Sequence, residues 1–276
     1  MITIKKMILL LILTVFGLTA CQKKQTIEIR NDFKKYYDQF QVEGSFVLYD
    51  PQTAKYIFYN QDQYKQTFSP ASTFKICNSL IGLETGLIQD ENYIIPWDSV
   101  TRNLVWDKDH DMKTAFANST VWYYQELARR VGGQKMKYWL DKTNYGNADT
   151  SGGIDRFWLT GGLRISPEQQ IDFLKRLHDK KLPFSLRSTD IVQRIMIARD
   201  TLDYVIRAKK GWGGHESKEV GWYVGYIETN GNVYYFSNCI QMESEKLNDV
   251  HRAGSFDHAR KEIVFKILEE LKLTSK

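Results

Sequence analysis

The 276-residue chain holds only three cysteines, Cys21, Cys77 and Cys239, and no two of them stand as C-x-x-C. That spacing excludes a zinc knuckle and a thioredoxin-type redox pair. Cys77 and Cys239 lie in apolar runs and read as buried thiols, with a bond between them left open. No Lys/Arg block with interleaved aromatics occurs, which argues against a nucleic-acid partner. No G-x-S-x-G is present, and His110, His178, His215, His251 and His258 are scattered, so a Ser-His-Asp hydrolase triad has no anchor. Beyond the first 18 residues no apolar run is long enough to span a membrane, and there is no internal repeat or low-complexity segment.

What is present is the composition of an ordinary globular chain, 42% hydrophobic and 26% charged, with a net charge of +5 spread over interleaved acids and bases. That balance suits an anionic small substrate or an anionic envelope surface. Residues 1–20 read as a targeting segment: Lys5 and Lys6 form the charged start, and Met7 to Leu18 is an apolar run too short for a comfortable span. It ends in Leu18-Thr19-Ala20-Cys21, which resembles a bacterial lipobox. The resemblance implies cleavage before Cys21, a lipid on that cysteine, export, and a membrane link only through this anchor. Residues 21–30 then read as a tether.

The periodicities predict an α+β chain. Asn31 to Phe40 has helical spacing, and Gly44 to Tyr49 with Lys55 to Tyr59 reads as a hairpin about Asp50-Pro51. A helix is expected from Ser72 towards Gly86. Further helices are expected at Ser119 to Val131, at Met136 to Lys142, from a Ser166-Pro167-Glu168-Gln169 start to His178, and from a Ser188 cap through Ile197. Tyr204 to Ala208, Val220 to Thr229 and Val233 to Met242 read as strands, the last two joined by an Asn230-Gly231 turn, and Phe256 to Leu273 as an amphipathic helix. The predicted organisation is a mostly antiparallel sheet region, 31–71 with 200–276, flanked by terminal helices and interrupted by a mainly helical region, 72–199, with the active site at their junction.

The chemistry candidates start at Ser72-Thr73-Phe74-Lys75. Residues three apart on a helix share a face, so the hydroxyl and the amine would point into one space. A neutral lysine can take the proton that makes a serine nucleophilic. Taken alone, this S-x-x-K reads more readily as an N-cap and a solvated lysine. Ser119-Thr120-Val121, 47 positions after Ser72, opens a helix and is singly no more than a cap. Lys209-Lys210-Gly211-Trp212 could be a basic edge strand, and Phe157-Trp158-Leu159 a core aromatic segment. Asp107-Lys108-Asp109-His110-Asp111 reads as a solvated loop rather than a metal site, since no second ligand group has matching spacing.

In combination, these motifs resemble the class D, oxacillinase-type, serine β-lactamases, from about Gly44 to the last helix. Ser72-Thr73-Phe74-Lys75 matches the family's S-T-F-K, Ser119-Thr120-Val121 its S-x-V, and Tyr145-Gly146-Asn147 its Y-G-N. Phe157-Trp158-Leu159 matches its tryptophan segment, and Arg260 stands where its carboxylate-binding arginine is found. One departure is present: the family's K-[ST]-G appears as Lys209-Lys210-Gly211, an amine in place of a hydroxyl.

The resemblance implies the fold of the β-lactamase and penicillin-binding transpeptidases. It implies hydrolysis of β-lactams through an acyl-enzyme on Ser72, with Lys75 carbamylated by carbon dioxide as the general base of both steps. Trp158 would bond the carbamate, and Val121, Trp158 and Leu159 would keep the amine dry. Backbone N–H groups of Ser72 and Trp212 would form the oxyanion hole, Ser119 would protonate the leaving nitrogen, and Lys209, Lys210, Gly211 and Arg260 would receive the substrate carboxylate. No metal or other cofactor is implied beyond carbon dioxide or bicarbonate. The alternatives are a β-lactam sensor that acylates without turnover, a D,D-peptidase, and a lipid-anchored protein with a decayed site. Substrate range and association into a homodimer are left open.

Overall fold

The computed structural model describes residues 24–102, 105–215, 217–248 and 250–274. The targeting segment and Cys21 lie outside the described residues. Among the described residues no helix is long and apolar enough to cross a membrane.

The chain opens with strand β1 (Thr26–Ile29) and helix α1 (Lys34–Phe40), followed by the hairpin β2 (Glu43–Asp50) and β3 (Lys55–Tyr59). Asp50 closes that turn: its carboxylate accepts from Gln52 N at 2.8 Å and from Thr53 Oγ1 at 2.7 Å. A 3-10 turn, Ala71–Phe74, runs into α2 (Lys75–Glu84). A two-strand clasp, β4 (Ile94–Ile95) with β5 (His110–Asp111), precedes α3 (Met112–Ala117), α4 (Val121–Val131), α5 (Gly133–Thr143), α6 (Pro167–His178) and α7 (Leu186–Ile195). The chain returns to the sheet through β6 (Ile197–Asp200), β7 (Tyr204–His215), β8 (Lys218–Thr229) and β9 (Asn232–Glu243), and ends in α8 (Val250–Glu270).

The main sheet has the order β1-β3-β2-β9-β8-β7-β6. Every pairing is antiparallel except β1 with β3. The Asn230-Gly231 dipeptide sits at φ 51° and 71°, the double left-handed turn that matches strand twist. Both faces of interior strand β8 are covered. On β8, Val220, Trp222, Val224 and Tyr226 pack into the core beneath the helical region, while the intervening Tyr223 and Ile227 join the core under α1 and α8. This is period-two alternation with apolar residues on both sides, as a strand buried on both faces requires.

The expected class holds, and several elements differ from expectation: Ser72 lies in a 3-10 turn with the α-helix starting only at Lys75, and α8 runs Val250–Glu270 rather than from Phe256 to Leu273. Thr26–Ile29, within the segment read as a tether, is an edge strand whose backbone pairs Thr26 with Lys55 through Ile29 with Phe58. A strand this short and polar carries too little alternation to be legible alone. The cap of α7 is Ser185, whose side chain accepts from Ser188 N, and the helix stops at Ile195, leaving Ile197 to β6. Helix α4 starts at Val121 with Thr120 in the cap position; Ser119 has φ 54°. Strand β7 runs on to His215, because its glycine- and lysine-rich half is paired residue by residue with β8. Cys77 and Cys239 are both free and buried.

Tyr145-Gly146-Asn147 has a structural task. Asn147 Nδ2 donates to Gly162 O at 2.9 Å, and Asn147 Oδ1 accepts from Arg164 N at 2.9 Å, closing the loop that carries Trp158. Gly146 has φ 57°, and a Cβ there would lie 2.1 Å from Arg164 O. Gly146→Ala is therefore expected to cost about 2–4 kcal/mol of unfolding free energy. Urea denaturation checks this; an unchanged midpoint would contradict it.

Candidate active site

Side chains three apart eclipse each other in a 3-10 turn. Ser72 sits in such a turn and Lys75 closes it, which brings Lys75 Nζ to 2.7 Å from Ser72 Oγ. Lys75 is 0% exposed and, among the described residues, this hydroxyl is its one hydrogen-bond partner. Burial alone pulls its amine down to about 7. Tyr124 forms one wall, its ring centroid 5.3 Å from Nζ, and ties α4 to α2 through a 2.9 Å contact of its hydroxyl with Ser79 Oγ.

The turn is clamped from three sides. Ala71 N donates to Trp158 O at 3.0 Å, Ser69 Oγ donates to the same carbonyl at 2.9 Å, and Trp222 Nε1 donates to Ser69 O at 2.9 Å. On the third side a Cβ at Gly211 would lie 3.0 Å from Pro70 O and from Thr73 Cγ2, so a larger residue there would push β7 and the turn apart by a few tenths of an ångström. The Trp158 ring packs on Phe74 at 5.3 Å and Phe157 at 4.9 Å. Its buried indole N–H has no hydrogen-bond partner among the described residues. A buried orphan donor costs about 1–3 kcal/mol, so its retention marks a place where a further acceptor would be welcome.

Ser72, Ser119, Val121, Lys210, Trp212 and Arg260 line one cleft of about 350 Å³. Lys209 Nζ donates to Ser119 Oγ. Lys209 is buried, so the basic-edge reading of this strand does not hold. Burial, together with the charges of Lys75, Lys210 and Arg260, holds its amine well below the usual lysine range. Lys210 is lowered by burial and by Arg260 and Lys261. Arg260 is 4% exposed, is lowered to about 10 by burial, and reaches the cleft because β8 has Gly221 opposite it, where a Cβ would stand 2.8 Å from Arg260 Cγ.

All ten catalytic and substrate-binding candidates named from the sequence thus gather at this cleft or against its floor. Trp106, Asn118 and Asp257 also line it and escaped the sequence reading. Asp257 had a signal, since it stands three residues before Arg260 on a helix. Trp106 had none; the loop folds back over the cleft through Trp106 Nε1 to Asn118 O at 3.1 Å and Trp122 Nε1 to Trp106 O at 2.8 Å. His110, expected on a solvated loop, is 1% exposed. No group of His, Cys, Asp or Glu able to hold a metal ion occurs among the described residues.

Comparison with known proteins covers the same part of the chain. A family model described as "Penicillin binding protein transpeptidase domain" matches residues 44–269. Beta-lactamase OXA-48 of Klebsiella pneumoniae is 38% identical over 84% of this chain and 87% of its own length. The crystal structure of a class D β-lactamase from Sebaldella termitidis is similar with a TM-score of 0.85 at 36% identity, covering 91% of this chain and 100% of that one. The C-terminal domain of the Bacillus licheniformis BlaR penicillin-receptor has a TM-score of 0.82 at 29% identity, covering 91% and 98%.

Proposed function

The chain belongs to the class D β-lactamases, within the wider penicillin-binding transpeptidase family, and from that premise we propose that it hydrolyses β-lactam antibiotics through an acyl-enzyme on Ser72. The observation that carries the reading is the 2.7 Å contact between the buried Nζ of Lys75 and Ser72 Oγ, its one hydrogen-bond partner among the described residues.

The Ser72 oxygen attacks the lactam carbonyl and passes its proton to the Lys75 side chain, whose Nζ lies 2.7 Å away. The carbonyl oxygen gains negative charge, which the backbone N–H groups of Ser72 and Trp212 receive; one such donor is typically worth about 3 kcal/mol of barrier. The four-membered ring opens at its C–N bond, and Ser119, held by Lys209, returns a proton to the nitrogen. Lys209, Lys210 and Arg260 draw the substrate carboxylate into the cleft beside Gly211. Water then hydrolyses the ester on Ser72.

The residues fit a carbamylated Lys75. An amine lowered to about 7 is substantially neutral at physiological pH, and only the neutral form adds to carbon dioxide. The orphan Trp158 N–H and the Ser72 hydroxyl are the groups that would hold the added carboxylate. When formed, the carbamate supplies an anionic general base where the bare residue offers only an amine. Val121, Trp158 and Leu159 serve to keep that pocket dry. No metal is needed for this chemistry. The reading extends to export and to a lipid on Cys21, supported by Lys5, Lys6, the apolar run to Leu18 and Leu18-Thr19-Ala20-Cys21.

The test is benzylpenicillin with purified protein in bicarbonate. Sustained turnover is expected, with a penicilloyl mass on the wild type after acid quench and neither turnover nor adduct with Ser72→Ala. A single stoichiometric adduct without turnover would put the chain with the penicillin receptors instead.

A further inference from the structure

The cationic end of the cleft already holds a carboxylate. Asp257 Oδ1 accepts from Arg260 Nη2, and Asp257 Oδ2 lies 3.6 Å from Lys210 Nζ. Arg260 is engaged at its other nitrogens too: Nη1 donates to Gly211 O at 2.7 Å and Nε to Asp257 O at 3.2 Å. One oxygen on each cation is the mode in which a substrate carboxylate would be expected to bind the same pair. Asp257 is the only acid among the described residues that line the cleft. Its side chain is 46% exposed, against 4% for Arg260, so it is the partner free to swing away while the guanidinium stays.

The second cation explains why an acid is tolerated there. Lys210 stands where the family pattern has a neutral hydroxyl. With Lys209 and Lys261 nearby, Lys210 and Arg260 form a crowded positive cluster. A carboxylate bridging the two relieves their repulsion and holds Lys210 over the cleft rather than in solvent.

Resting on the function proposed above, we infer that Asp257 is a specificity-determining residue: an internal carboxylate that competes with the substrate's own for Arg260 and Lys210. A substrate bearing a carboxylate must displace it, and one whose carboxylate is esterified need not. Asp257 therefore weakens binding of anionic β-lactams without touching the bond-making groups.

The experiment measures KM and kcat for benzylpenicillin and the competitive inhibition constant of benzylpenicillin methyl ester, in the wild type, Asp257→Asn and Asp257→Glu, at fixed ionic strength. Removing the charge is expected to lower KM for the acid about fivefold, in keeping with a partly exposed ion pair, with kcat and the ester constant unchanged. Asp257→Glu keeps the charge and should keep the wild-type ratio of acid to ester. Asp257→Ser, with the same expected shift, replaces the Asn variant if that one melts early. A KM for the acid that is unchanged or raised would overturn the inference and make Asp257 a clamp that positions Arg260. Absence of any β-lactam turnover by the wild type would instead overturn the proposed function, and this inference with it.

Discussion

Lys75→Met is expected to lower β-lactam turnover about 10²–10⁴-fold, the usual value of a positioned general base, while leaving the melting temperature unchanged or raised. Loss of activity normally accompanies loss of structure when a core residue is changed. Here the two separate, because Lys75 is 0% exposed and its amine has one hydroxyl for a partner. Burying an amine this way costs stability that a methionine of similar length does not. The pH dependence gives an independent check in buffer free of carbon dioxide. The amine is lowered to about 7 in the folded chain and returns to about 10.4 on unfolding. Between those values the unfolded chain binds a proton that the native chain does not, so unfolding free energy rises with pH across this window. Below about 7 both states are protonated and the slope vanishes. Lys75→Met should lack that slope. Near-wild-type turnover in this variant would remove Lys75 from the chemistry and end the proposed mechanism.

Trp158→Phe is expected to cost about 10–100-fold in turnover at ambient carbon dioxide, with much of the loss recovered in added bicarbonate. Phenylalanine keeps the contacts with Phe74 and Phe157 but deletes the N–H, which has no hydrogen-bond partner among the described residues. No described residue accepts from that N–H, so stability should hold or improve. A merely structural role predicts the reverse: lower stability and no bicarbonate effect. The measurement is the ratio of initial rates with and without bicarbonate in the two proteins. An unchanged ratio at unchanged rate would mean that the orphan N–H has no part in holding a carbamate.

Most element types and most of the site could be read from residue order, because they rest on local rules. The S-x-x-K spacing places two side chains on one face whatever surrounds them, and the Ser166 capping box and the Asn230-Gly231 turn form as written. Other features were set only by tertiary structure. Taken singly, the Lys209 segment could have been a basic edge strand, but Lys209 is buried on Ser119 because β7 is hemmed in by the Ser72 turn. Thr26–Ile29 became a strand only because β3 offered it an edge. The lowered amine of Lys75, the orphan N–H of Trp158 and the carboxylate of Asp257 shared by Lys210 and Arg260 are properties of water exclusion and of charges from distant segments. Dielectric surroundings and long-range Coulomb contacts are set by what packs together in three dimensions, and linear spacing does not encode them.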